Sequence, residues 1–253
     1  MSKVIFFTDK LRTETPMSIS GPLNNEALSE ENFDCLRSKE EKPLQLTGLD
    51  ELQVKQFLKE TKISSSVPMS IPLIVPENFG IVYPNIMYRS SCPNLMNFPF
   101  LESLSIRTIV SLRQDEYTQE ELEYMKKRNI AYYHVGMPGS KYRKQEFKTD
   151  GEQSDYMDID SLVRKSLRVI LKKESWPVLI HCSGGKHRTG IVIGSLRALM
   201  DWPVQERIEE YVCHSHPKER EVDKEYIRNF AADSTLVTLA NDLKKYTQTV
   251  NED

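Results

Sequence analysis

Apolar positions follow no regular period over roughly the first 75 residues of the chain. Stretches such as SISGPLNNEALSEEN and KISSSVPMSIPLIVP are rich in Ser, Pro, Asn and charge, a composition that favours loops or disorder over a packed core. One exception lies near residues 48–61, where apolar side chains recur at helical spacing after a capping-box start. We therefore predict a largely irregular, partly disordered N-terminal extension over residues 1–75. Its short helix would dock on the main domain or bind a partner.

From residue 76 onward the pattern becomes regular. Short apolar runs predict a β-hairpin turning at Pro84 and Asn85, followed by three buried strands in RTIVSL, AYYHVGM and PVLIH. Helical spacing occurs in NFPFLESLSI, TQEELEYMKKRNI and IDSLVRKSLRVILKK, then over residues 188–200, 204–212 and 222–232. Residues 138–157 are polar and predict a loop. Strands that alternate with helices predict an α/β fold, in which a central, mostly parallel sheet is flanked by helices. This domain spans residues 76–235, and residues 236–253 form a C-terminal helix or tail.

Charge and cysteine content exclude several classes of function. The 253 residues contain 34 Lys and Arg against 37 Asp and Glu, a net charge of −3, so neither nucleic acid nor a membrane surface is expected as a partner. No apolar run approaches the roughly 20 residues that span a bilayer, and the N-terminus lacks signal-peptide features. The four cysteines show neither a CxxC pair nor a zinc pattern. We expect a soluble protein in the cytoplasm, with the nucleus not excluded, reduced thiols, no metal and no cofactor.

The segment PVLIHCSGGKHRTGIVIGSLRALM combines a buried strand, a glycine-containing loop and the start of a helix. Helix N-termini attract anions, and Gly184 and Gly185 allow the backbone amides to curl inward. A thiol in such a place has its pKa lowered from about 8.5 to about 3.5–7.5, and the thiolate is nucleophilic. Arg188, with five residues between it and Cys182, offers a planar fork for two phosphoryl oxygens. The hydroxyl of Thr189 is placed to bond the sulfur, so we predict Cys182, Arg188 and Thr189 as catalytic residues.

Other interpretations of this segment are possible on the cysteine and arginine alone. A Cys-x5-Arg spacing arises by chance, and a buried cysteine is often only a small apolar residue. Rhodanese-type sulfurtransferases also place a cysteine loop before a helix, and low-molecular-weight phosphatases carry their loop near the N-terminus of the domain. The Arg-Thr-Gly ending and the late position of this loop favour a phosphatase of a different kind.

The string HCSGGKHRTG resembles the HCxxGKHRTG loop of the plant-and-fungal atypical dual-specificity phosphatases, a group within the tyrosine-phosphatase superfamily. The segments NFGIVYPNIMYRSSCPNLMNFPFLESLSIRTIVSL, NIAYYHVGMPGSK and HPKEREVDKEYI resemble further blocks of that family. The resemblance covers about residues 79–230 and implies a compact phosphatase fold. It further implies Cys182 as the nucleophile, Arg188 as the phosphate binder, and hydrolysis of inositol pyrophosphates at the β-phosphate of the 5-position diphosphate. Some members of the family also act on phosphotyrosine.

The resemblance and the local positive charge together predict which residues bind a very anionic inositol polyphosphate. The predicted substrate-binding residues are Ser183, Gly184, Gly185, Lys186, His187, Lys141, Arg143, Lys144, Lys218 and Arg220. The loop after Gly139 departs from the family pattern and is longer, which leaves the choice of substrate open.

The leaving group decides whether a general acid is required. A phosphotyrosine expels a phenolate with a pKa of about 10 and needs a proton donor, whereas a phosphoanhydride expels a phosphate with a second pKa near 6. Asp155 and Asp158 are candidates for such an acid, and the sequence does not distinguish them.

The preferred function is thus an inositol pyrophosphate phosphatase that acts through a phosphocysteine. A phosphotyrosine or dual-specificity protein phosphatase is the alternative. A catalytically weak scaffold that binds phosphorylated ligands is a third hypothesis, which the intact Cys182, Arg188 and Thr189 disfavour.

Overall fold

The computed structural model describes residues 4–5, 73–139 and 158–250. The predicted helix near 48–61, nearly all of the N-terminal extension and most of the predicted loop over 138–157 lie outside the described residues. Two residues of the extension form a short strand, β1 (Val4–Ile5), which the sequence pattern does not predict because two residues show no period.

Six strands form one sheet in the order β1-β5-β4-β6-β3-β2. The five strands after β1 are β2 (Gly80–Tyr83), β3 (Met87–Ser90), β4 (Thr108–Ser111), β5 (Ala131–His134) and β6 (Val178–His181). Strands β5, β4, β6 and β3 are parallel to one another, while β1 pairs antiparallel with β5 and β2 pairs antiparallel with β3 at the two edges. The predicted hairpin is confirmed, and Asn85 takes the left-handed backbone conformation in its turn.

Seven α-helices are present among the described residues. They are α1 (Phe98–Ser103), α2 (Gln119–Lys127), α3 (Ile159–Ile170), α4 (His187–Leu199), α5 (Val204–Ser215), α6 (Glu221–Asn229) and α7 (Ser234–Val250), and a 3-10 turn (Lys173–Ser175) precedes β6. Helix α6 ends earlier than predicted, and the predicted C-terminal helix or tail is a regular helix. None of these helices combines the length and apolar character needed to cross a bilayer.

Alternate residues of the central strands enter two different apolar clusters, one on each face of the sheet. Val110 and Ile180 pack with residues of α3 to α7, whereas Ile109 and Leu179 pack with residues of α1 and α2. Because both faces are covered, the central strands read as continuous apolar runs, as parallel strands do. The predicted α/β class is confirmed. The carboxyl ends of β4, β5 and β6 meet at one edge of this sheet, which is where ligands bind in such folds.

Candidate functional site

The loop between β6 and α4 forms the centre of the site. Strand β6 ends at His181, the loop covers residues 182–186, and α4 begins at His187. Helix α4 has no side-chain cap at its N-terminus, so the amides of its first turn are available to an anion. Gly185 has a φ of +66°, and a Cβ there would lie 2.5 Å from the carbonyl of Ser90. The loop can therefore pass this close to the end of β3 only with glycine at this position.

The first two carbonyl groups of the loop are each held by a donor on the outer side. The Nδ1 of His181 lies 3.2 Å from the carbonyl oxygen of Cys182, and the amide of Cys92 donates to the carbonyl of Ser183 at 3.2 Å. In a trans peptide the N–H points opposite to the C=O. The next N–H groups along the chain, those of Ser183 and Gly184, therefore face the inside of the loop.

The next two carbonyl groups are held in the same way, by side chains from distant parts of the chain. The Nδ2 of Asn78 donates to the carbonyl of Gly184 at 3.0 Å, and the Nη2 of Arg89 donates to that of Gly185 at 2.8 Å. By the same geometry the N–H groups of Gly185 and Lys186 point inward. Four successive amides thus line a concave surface suited to the oxygens of a phosphoryl group.

Cys182 lies at the base of this concave surface and is 3% exposed. Burial by itself raises the pKa of the thiol. The charge of Arg188, the hydroxyl and amide of Thr189, and the amide of Gly184 act against it, so the pKa is lowered overall. The buried Thr189 hydroxyl makes no hydrogen bond of standard geometry to the described residues. It contributes to the lowered pKa of the Cys182 thiol because it lies close to the sulfur. The arrangement favours a thiolate, the nucleophilic form.

The Arg188 side chain is fixed by backbone carbonyls at the ends of two strands. Its Nη1 donates to the carbonyls of Leu112 and Met137, at 3.1 and 3.2 Å, and its Nη2 donates to Ser183 Oγ at 3.0 Å. A guanidinium has five N–H donors. These three bonds leave two donors without a partner among the described residues, and two donors suffice to bind two oxygens of a phosphoryl group.

His181 precedes the cysteine and is fully buried. Burial is the main cause that lowers its pKa to about 3, so the ring is neutral at physiological pH. The Tyr117 hydroxyl lies 2.9 Å from Nε2. The network is consistent if Tyr117 donates to Nε2 and Nδ1–H donates to the Cys182 carbonyl. The His181 ring therefore orients the loop by holding the carbonyl of Cys182.

A second group of cationic residues lies beside the loop. The segment between α5 and α6 carries Lys218 and Arg220. It is joined to the loop by His187, whose Nε2 donates to the Lys218 carbonyl at 2.5 Å, and by Lys186, whose Nζ lies 3.4 Å from the carbonyl of His216. Burial is the main cause that lowers the pKa of His187, with smaller effects from Arg220 and Lys186. The structure thus brings together four of the predicted substrate-binding residues.

Of the remaining predicted residues, the structure describes Asp158. Lys141, Arg143, Lys144 and Asp155 lie outside the described residues. Asp158 is the N-cap of α3, where its carboxylate accepts a hydrogen bond from the amide of Asp160 at 3.2 Å. This bond gives Asp158 a structural role.

Three residues at the site, of which Arg89 and Tyr117 are buried and Asn78 is half-buried, were not predicted as functional. Arg89, Asn78 and Tyr117 contact the loop or its neighbour His181 from behind. The segment YRSSCP contains Arg89 and belongs to the blocks that resemble the family, but the sequence alone does not show what the side chain touches.

The cysteines differ from expectation at one position. Cys92 and Cys182 are free thiols, but Cys213 on α5 is disulfide-bonded, so the expectation of reduced thiols is wrong for that residue. Its partner lies outside the described residues. Among the described residues, no three His, Cys, Asp or Glu side chains lie close enough together to hold a metal ion.

Comparisons with known proteins agree with this geometry. The model of the tyrosine phosphatase family matches residues 73–249. Inositol diphosphatase SIW14 of Saccharomyces cerevisiae is 39% identical over 163 residues, which are 64% of this chain and 53% of that protein, so the chain spans about half the length of this relative. Inositol diphosphatase DSP2 of Arabidopsis thaliana is 32% identical over 181 residues, covering 62% of this chain and 70% of that protein.

A solved structure is similar as well. The core catalytic domain of PP-IP phosphatase SIW14 from S. cerevisiae, in complex with citrate, superposes with a TM-score of 0.55 at 34% identity, covering 71% of this chain and 96% of that one. The chain therefore belongs to the tyrosine phosphatase family, and the resemblance to its plant and fungal atypical dual-specificity members is confirmed.

Proposed function

We propose that the protein is a cysteine-dependent phosphatase that removes the β-phosphate of inositol pyrophosphates through a phosphocysteine intermediate. One observation carries the proposal: a buried thiol of lowered pKa lies within a loop of inward-facing amides, beside the fixed guanidinium of Arg188. The relatives named inositol diphosphatase support the choice of substrate.

In the first step the Cys182 thiolate attacks the terminal phosphorus. The S–P bond forms as the bond from phosphorus to the bridging oxygen breaks, and that oxygen keeps the electron pair. The loop amides and the two free donors of Arg188 bind the three equatorial oxygens, where the transition state carries its charge. These donors are already held in place by other bonds, so little reorganisation is needed when the charge develops.

The leaving group is an inositol phosphate with a second pKa near 6, which departs as an anion without a proton at neutral pH. No general acid is therefore required, in keeping with the capping role of Asp158. In the second step water attacks the phosphocysteine and releases inorganic phosphate, which restores the thiolate.

The rim of the site supports a highly anionic substrate. Lys186 and Arg220 are half-buried and Lys218 is exposed, all beside the loop. Such a cluster on a protein of net negative charge concentrates anions locally. We propose Lys186, His187, Lys218 and Arg220 as contacts for phosphates that are not transferred. The predicted contacts Lys141, Arg143 and Lys144 stay part of this proposal.

A side-by-side assay of the purified full chain tests the proposal. We expect much faster hydrolysis of a 5-diphosphoinositol polyphosphate than of a phosphotyrosine peptide, with inorganic phosphate as the product. Cys182→Ser should lower the rate at least about a thousandfold while the protein stays folded, because the hydroxyl is a far weaker nucleophile than the thiolate. Faster hydrolysis of the peptide would support the protein phosphatase alternative. An active Cys182→Ser variant would reject the mechanism, and tight binding without turnover in the wild type would support a scaffold.

A further inference from the structure

A cluster of buried charges lies directly behind the phosphate-binding loop. Arg89 on β3 and Arg197 on α4 are 0% and 1% exposed, and Glu210 on α5 is the carboxylate between them. The Nε of Arg197 lies 2.7 Å from one oxygen of Glu210, whereas the Nη1 of Arg89 lies 3.8 Å from the other. Two cations thus interact with one carboxylate, and the ion pair of Arg89 is the longer and weaker of the two.

The remaining titratable neighbour does not balance this charge. Burial and the two arginines hold the pKa of His214 well below its ordinary value, so its ring is neutral. Burial lowers the pKa of Arg89 only to about 10, so that side chain stays charged at neutral pH. A buried cation without full pairing is costly, which points to a function for Arg89.

The contacts of Arg89 point to that function. Its one hydrogen bond to the described residues goes to the carbonyl of Gly185, while its Nε and Nη1 have no hydrogen-bond partner there. Cys182 is among the groups whose negative charge favours the charged form of Arg89. The side chain therefore both holds the loop and adds positive charge beneath the nucleophile.

Asn78 holds the adjacent peptide of the loop. Its Nδ2 donates to the carbonyls of Gly184 and His214, at 3.0 and 3.1 Å, and its Oδ1 lies 3.0 Å from the Nδ1 of His214. The backbone of Asn78 has a φ of 51°, a conformation that asparagine tolerates better than most residues. The amide group is thus fixed on three sides and aimed at the loop.

We propose that Arg89 and Asn78 are positioning residues for the proposed phosphatase reaction. They hold the carbonyls of Gly184 and Gly185 away from the substrate. The N–H groups of Gly185 and Lys186 then face the phosphoryl group before it binds. This inference rests on the proposed function, and it assigns the side chains that keep two of the loop amides in their inward orientation.

The test compares Asn78→Gly, Arg89→Met and Arg89→Lys in the full chain. Asn78→Gly keeps the left-handed backbone accessible and removes the whole side chain, including the amide group that bonds to the loop. We expect kcat to fall roughly ten- to a hundredfold in Asn78→Gly and Arg89→Met, because misplaced amides lose contacts to the transferring group. KM should change less, because the cationic rim binds the other phosphates. Arg89→Lys keeps the charge but not the fork, so its kcat should lie between those of Arg89→Met and the wild type.

Asn85→Gly is the matched control. Asn85 also has a positive φ, of 58°, but lies in the β2–β3 turn, so this variant should keep wild-type kcat. Binding of tungstate, an inert phosphate mimic, by calorimetry gives a readout that does not need turnover, and we expect it to weaken roughly tenfold in Asn78→Gly. A wild type that hydrolyses no phosphate substrate would overturn the proposed function. The tungstate affinities would still test whether Asn78 and Arg89 position the loop amides, because binding does not require turnover. Wild-type kcat and tungstate affinity in Asn78→Gly would overturn the inference even if Arg89→Met does not fold.

Discussion

Replacing Gly185 by alanine would place a methyl group in the contact that fixes the loop. The new Cβ would lie 2.5 Å from the carbonyl carbon and oxygen of Ser90 and 2.7 Å from the amide nitrogen of Ser91. Ordinary contact begins at 3.4 Å, so the two backbones must separate by about 0.9 Å (3.4 − 2.5). The left-handed conformation adds roughly 1–2 kcal/mol for a residue with a Cβ. Because Ser90 belongs to a buried strand of the sheet, the loop has to move.

A shift of this size displaces the amides that surround Cys182. Misplacement by about 1 Å can cost about a hundredfold in rate, so we expect kcat/KM for a 5-diphosphoinositol polyphosphate to fall about that much in Gly185→Ala. Circular dichroism would show that the variant stays folded. Gly184→Ala is the matched control: its Cβ approaches only Lys186 Cγ, at 3.9 Å, so its loss should be far smaller. Equal losses in the two variants, or no loss in Gly185→Ala, would refute the argument.

Three further predictions concern the surroundings of the loop. His181 has a folded-state pKa of about 3 and an ordinary value of 6.5, so the unfolded chain takes up the proton first as pH falls. The free energy of unfolding should therefore fall between pH 6.5 and pH 3, by up to about 5 kcal/mol from this group. His181→Gln should flatten the pH dependence of this free energy, measured by urea unfolding. The same pH dependence in the variant and the wild type would contradict this. Glu210→Gln leaves Arg89 and Arg197 without a countercharge and should lower the free energy of unfolding by about 3–5 kcal/mol, whereas a variant as stable as the wild type would show that the cluster is not electrostatically coupled. Asp158→Ala should cost about 1 kcal/mol of stability as a lost helix cap with kcat unchanged, and a large loss of kcat would restore Asp158 as a general acid.

Local patterns in the sequence were sufficient to predict strands β2 to β6, the hairpin and the loop after β6, but not β1. The run PVLIH and the helical pattern after Arg188 are properties of neighbouring residues, and the α/β class follows from their alternation. Only five residues separate Cys182 from Arg188, so one loop and one helical turn set their geometry. The prediction that Lys218 and Arg220 bind substrate came from the resemblance and from charge.

Contacts between distant segments were not predictable in this way. Asn78 lies 106 residues before Gly184, and Arg89 lies 96 residues before Gly185. No periodicity connects such positions. The pairing of β3 with β6 brings Arg89 to the loop, whereas Asn78 lies just before β2, the other neighbour of β3. Asp158 illustrates a different limit, since the sequence does not show whether a carboxylate before a helix is a helix cap or a general acid.

Trapping of the phosphorylated enzyme tests the central claim most directly. Wild-type protein mixed with a 5-diphosphoinositol polyphosphate is quenched within one turnover, digested and analysed by mass spectrometry. The account predicts one phosphoryl group on the peptide that contains Cys182, bound to sulfur, and none in Cys182→Ser. Rapid product formation with the phosphoryl group on another residue, or with Cys182 never modified, would contradict it.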